Sequence, residues 1–132
     1  MKGFNSNIED DTVKNGNFRK VLYTGKKMQL VLMSLKPMED IGIEVHKDVD
    51  QFFRFEKGEG KVIIDGVEHN VKNGSAVIVP CGAKHNVVNT SKTAELKLYT
   101  IYTPPNHQDK IVMKTKAEAE ASHEKFDGKT TE

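Results

Sequence analysis

Residues 74–89 read GSAVIVPCGAKHNVVN, and the fold turns on this stretch. An apolar run, Ala76–Val79, is too short for a helix and is closed by Pro80 and Gly82; a second β-branched run follows as His85–Asn89. Proline removes a backbone donor and glycine opens positive φ, so the pair predicts a shaped loop between two strands. That loop sets His85 at the start of the second strand.

Outward from this unit, the same pattern repeats from Arg19 to Thr103. Segments rich in Val, Ile, Leu, Phe and Tyr follow one another without helical periodicity: VLYT, QLVLMSLK, IGIEVH, QFFRFEKG, GKVIID, VEHNV, SAVIVP, HNVVN and ELKLYTIYT. Turn signals separate them, among them TGKK, KPMED, KDVD and TSKTA. Strands at such even spacing predict an all-β sandwich or barrel. The sharpest local signal is Asp65-Gly66, a dipeptide suited to a two-residue hairpin with positive φ at both positions.

A chain of 132 residues has room for one domain. Its 20 basic residues balance 19 acidic ones, leaving a net charge of +1, so no field gathers nucleic acid or anionic lipid. No apolar run approaches the roughly 18 residues of a membrane-spanning helix, and the start MKGFNSNIEDD turns acidic where a signal peptide turns apolar. The lone Cys81 permits no internal disulfide, and a cytoplasmic location is expected. Cys81, in the loop near His85, reads as a small buried thiol rather than a nucleophile. Three regions are expected: residues 1–18 as an N-terminal arm, loose or ordered against a partner subunit; 19–113 as the β-barrel; and 114–132 as a short surface helix, from KTKAEAEASHEKF, with a polar tail.

In IGIEVH, strand alternation puts Glu44 and His46 on one face and Ile43 and Val45 on the other. Taken alone, that pattern fits Ile43 and Val45 in a core with Glu44 and His46 facing water. The following strand argues otherwise, because Gln51 shares its face with Phe53 and Phe55, which require burial. If the two strands pair as a hairpin across KDVD, Gln51 meets Glu44 and His46 at the mouth of an aromatic-lined interior. Asp48 and Asp50 are then turn residues, while Ile43, Val45 and Phe52 face outward and need a second layer or subunit over them, which predicts a homodimer.

Within residues 74–89, Gly74, Pro80, Gly82, His85 and Asn89 fall at the spacing GxxxxxPxGxxHxxxN. This resembles the second motif of the cupin superfamily, and GIEVHKDVDQFFRFEKGEG resembles the first; together they run from about residue 42 to 89. The resemblance implies a single-domain double-stranded β-helix, a jelly-roll barrel, of the small mannose-6-phosphate-isomerase-like cupin type. The first motif departs from the family pattern of two His and a later Glu, since those positions hold Glu44, His46 and Gln51. Carried over, the metal ligands are Glu44, His46, Gln51 and His85. Two imidazoles, a carboxylate and an amide oxygen suit a divalent Zn, Mn, Fe or Ni ion with positions open to water or substrate. The implied function is binding of, or action on, a small polar metabolite, with sugar-isomerase-like chemistry. A non-haem dioxygenase and a non-catalytic small-molecule or metal-binding module are the alternatives. Lys84 and His69 are conceivable bases; His69 and His107 match no ligand position. Arg19 and Arg54 are the only arginines, and no motif sites either for phosphate recognition.

Overall fold

The computed structural model describes residues 1–132. It contains ten strands, β1 (Arg19–Thr24), β2 (Gln29–Leu35), β3 (Glu44–Val45), β4 (Asp50–Lys57), β5 (Glu59–Ile64), β6 (Val67–Lys72), β7 (Ala76–Val79), β8 (Lys84–Asn89), β9 (Leu96–Thr103) and β10 (Val112–Met113). Two short helices, α1 (Ile8–Lys14) and α2 (Lys116–Ala121), flank them. One sheet runs β10-β1-β2-β9-β4-β7 and the other β3-β8-β5-β6, every pairing antiparallel. The architecture is the expected all-β jelly roll, with the short C-terminal helix in place.

The inner faces of both sheets meet in one core that includes Met33, Leu35, Phe53, Phe55, Val62, Val87, Leu96 and Leu98. Alternation along β4 places Gln51, Phe53 and Phe55 inward together, as expected. β5 demands glycine where it is wedged between its neighbour β8 and the other sheet: a Cβ on Gly60 would lie 2.5 Å from the Val88 carbonyl oxygen and 2.8 Å from Leu96 Cδ2 of β9. Asp65 and Gly66 take φ of 46° and 82°, the primed turn their sequence predicts, and join β5 to β6 with Ile64 opposite Val67.

Two features differ from the expectation. The link KDVD is not a hairpin. β3 pairs with β8, Glu44 opposite His85, whereas β4 lies in the other sheet between β9 and β7. The link therefore crosses between sheets, and Asp50 anchors it by accepting a hydrogen bond from the Cys81 amide at 2.8 Å. Gln51 is thus buried in the other sheet, opposite Tyr102 of β9, and does not share a ladder with Glu44 and His46. The segment before Arg19 also holds a helix, α1, capped by Asn7 accepting from the Asp10 amide. It docks on its own barrel, with Thr12 and Asn15 buried and the Lys97 ammonium donating to the Asn15 carbonyl at 2.7 Å. Polar side chains fasten this segment, so no apolar periodicity announced it.

Ile43 and Val45 are exposed, at 68% and 53%. The inward residues of that strand are thus Glu44 and His46, the reverse of the ordinary polar-out arrangement. Cys81 is exposed, contrary to the expected buried thiol, because the PCGAK loop projects from the barrel rim. No helix is long and apolar enough to cross a membrane.

Candidate metal centre

Glu44, His46 and His85 converge, each with one potential ligand atom within 4.8 Å of the others. Antiparallel register sets Glu44 directly opposite His85, and alternation brings His46 to the same face. The Gly82 amide donates to the His46 carbonyl at 2.7 Å, so the glycine-containing loop fixes the end of β3 beside β8. The two imidazole rings stand 5.4 Å apart between centroids.

Hydrogen bonding leaves metal-binding atoms free. His85 Nδ1 lies 3.1 Å from the Ala83 carbonyl oxygen, which can only accept; the proton therefore sits on Nδ1 and Nε2 keeps its lone pair. His46 Nε2 is buried, 2.8 Å from Glu44 Oε2, yet has no well-aligned hydrogen bond. Burial pushes the Glu44 carboxyl up, but His46, Arg19 and His85 outweigh it and hold the group below the usual carboxylate range.

Gln51 is buried in the same interior and lies opposite Tyr102 in the β4–β9 register. Its Nε2 donates to Thr100 Oγ1 at 3.0 Å, while its Oε1 has no partner. A buried amide oxygen left without a donor is costly unless something electropositive takes it up. The donors present, two imidazoles, one carboxylate and one amide oxygen, fit a divalent ion.

Residues that no motif flagged border this cluster. The Tyr102 ring meets His46 edge-on at 5.9 Å, and its hydroxyl donates to His107 Nε2 at 3.2 Å. His107 Nδ1 in turn donates to Glu124 Oε1 at 2.6 Å, which fixes the direction of both bonds. Burial pushes the Tyr102 phenol well up and the His107 imidazolium down, so the phenol keeps its proton and the imidazole stays neutral. For Glu124, burial raises the carboxyl but the His107 and Gln108 hydrogen bonds prevail, and it remains ionised. His107 therefore belongs to a buried chain from the C-terminal tail to the wall of the site. Its position five residues beyond Tyr102, across Pro104 and Pro105, carried no periodic signal. His69 and Lys84 are exposed and lie outside the cluster. Asn89, the last residue of the spaced motif, is structural: its Nδ2 donates to the carbonyls of Leu35, Lys36 and Ala94, tying three segments together.

The arrangement defines a cupin, and residues 31–102 match the cupin-domain family model Cupin_2. The chain belongs to that family. It is similar to the uncharacterized protein YrkC of Bacillus subtilis, 47% identical over 129 residues, covering 93% of this chain and 69% of the relative. It is also similar to the uncharacterized protein L612 of Acanthamoeba polyphaga mimivirus, 44% identical over 105 residues, covering 76% of this chain and 65% of that protein. The chain thus spans about two thirds of these relatives' length. The crystal structure of BH2720 from Bacillus halodurans superposes with a TM-score of 0.89 at 42% identity, covering 92% of this chain and 96% of that one.

Proposed function

We propose that this cupin holds a divalent ion on Glu44, His46, Gln51 and His85 and acts on a small polar metabolite by isomerase-like proton transfer. One observation carries the reading: the carboxylate and two imidazoles meet within 4.8 Å on the inner face of the barrel. A bound divalent ion would supply Lewis acidity toward a substrate carbonyl oxygen, lowering the cost of removing a neighbouring proton. The protein's own contribution is orientation and proton handling. Ala83 holds the His85 ring by its Nδ1 proton, and the barrel core excludes water behind the cluster. Tyr102 walls the site beside His46 but commits its phenolic proton to His107, so the carboxylate of the cluster, Glu44, is the proton-handling group within reach, ahead of the exposed Lys84 and His69.

A second reading, a non-haem dioxygenase, has support in the ligand types, since two His and one carboxylate with open positions suit Fe(II) oxygen chemistry. Metal analysis of the purified protein, alongside Glu44→Ala, His46→Ala and His85→Ala, tests the shared premise. Stoichiometric metal in the wild type, lost in each variant, is expected; equal metal content across the four proteins removes the site. Proton exchange of substrate with deuterated solvent, without oxygen uptake, then separates isomerase-like chemistry from the dioxygenase, and neither activity marks a binding module. A homodimer is part of the proposal, with support from the exposed Ile43, Val45 and Ile78, and light scattering measures it.

A further inference from the structure

Arg19 is 8% exposed, and its guanidinium takes part in no ion pair, no carboxylate oxygen lying within 4.0 Å. Its Nε is buried without a hydrogen-bond partner. The group is held over the Phe18 ring, 5.4 Å from its centroid, a contact that orients the cation but supplies no acceptor. The ionised Glu44 feels its charge from nearby but makes no direct pair with it, and a buried guanidinium with an unmet donor is costly for a fold to retain.

Arg19 lines an open pocket of about 150 Å³ together with Glu44, Ile41 and, from α2, Lys116 and Glu120. Lys116 is already paired with Asp40 at 2.6 Å, leaving Arg19 as the cation of this pocket that has no direct ion pair. Glu44 lines this cavity and also belongs to the Glu44–His46–His85 cluster, so a molecule seated against Arg19 abuts that cluster.

We infer that Arg19 is the anion receptor of the site and that the substrate is a small organic acid, its carboxylate on the Arg19 guanidinium and a second oxygen turned toward Glu44, His46 and His85. This rests on the metal-site reading above and names the class of its substrate. The planar guanidinium matches a carboxylate through two parallel N–H donors. A phosphate offers similar geometry, but its second negative charge would stand against Glu44 and Glu120. The pocket, about 150 Å³ and open to solvent, has room for an acid of a few carbons.

Thermal melts and calorimetric titrations with lactate and pyruvate, run on metal-free and Mn-loaded full-length protein, test this. At 10 mM, either acid is expected to raise the wild-type Tm by at least about 3 °C, while neutral lactamide leaves it unchanged. Arg19→Met should abolish the shift while the variant still melts as a cooperative folded protein; Arg19→Lys should keep a reduced shift with affinity at least about tenfold weaker. Protection by lactamide equal to that by lactate, tighter binding of inorganic phosphate than of the acids, or an undiminished shift in Arg19→Met would each overturn the inference. Wild-type protein that binds Mn but gains nothing from the acids also overturns it and leaves the metal site standing. Arg19-dependent protection in protein that binds no metal would sustain it and sink the metal reading instead.

Discussion

Replacing Glu124 by alanine tests whether the C-terminal tail is fastened to the site wall. In the wild type, its carboxylate accepts from His107 Nδ1 at 2.6 Å and from the Gln108 amide at 2.7 Å, with the side chain 9% exposed. A hydrogen bond to a charged group contributes about 1.5–3 kcal/mol net, and two at a partly wetted edge suggest a loss of about 2–4 kcal/mol. With an unfolding entropy of roughly 2.1 cal/mol/K per residue, a chain of this length has about 0.28 kcal/mol/K, so Tm should fall by about 7–14 °C at pH 7. The sign with pH follows from both partners. His107 has a folded pKa below its ordinary 6.5, so below about pH 6.5 the unfolded chain binds the extra proton and stability falls as pH falls. Glu124 has a folded pKa below 4.5, so its contribution is present above that value and is lost as pH falls through the folded one. Without Glu124 only the more remote Glu44 charge favours a charged His107, and the variant should lose stability more steeply between pH 7 and 5. The Tm gap therefore widens over that interval and closes only where the carboxyl protonates. Fluorimetric melts from pH 7.5 to 4 read this directly. A gap under about 2 °C at pH 7, or one that shrinks from pH 7 to 5, refutes the reasoning.

Asn89→Ala should destabilise the barrel by about 2–4 kcal/mol in urea unfolding, since three carbonyls lose one buried donor group; Asn89→Asp, which cannot donate, should be no better. Metal content per folded molecule should be unaffected in either, because Asn89 lies outside the ligand cluster. Cys81 is exposed, so a thiol reagent should label it in the native protein as fast as in the unfolded chain, with no loss of the folded signal; protection of the thiol would place the loop against the barrel.

How far each part was legible depends on the range of the interaction that sets it. The apolar runs, the Asp65-Gly66 turn and the Pro80–Gly82 loop are local, and the structure has them where the residues require. The inward face of β4 could be read because Phe53 and Phe55 settle it for Gln51. The helix α1 escaped because its docking rests on Thr12, Asn15 and the Lys97 ammonium, polar groups whose partners lie far along the chain. The hairpin across KDVD failed for a related reason: a short polar link permits either a turn within a sheet or a crossing between sheets, and only the pairing of Glu44 with His85 chooses.

Sequence by itself determined an all-β cupin and nominated Glu44, His46, Gln51 and His85, because strand alternation and a spaced Gly-Pro-Gly-His-Asn motif act over a few residues. Tertiary structure alone decided that Arg19 stands unpaired beside Glu44 and that Tyr102, His107 and Glu124 form a buried chain. Desolvation makes such groups consequential, and desolvation depends on what the whole fold packs around a side chain, which no local pattern encodes.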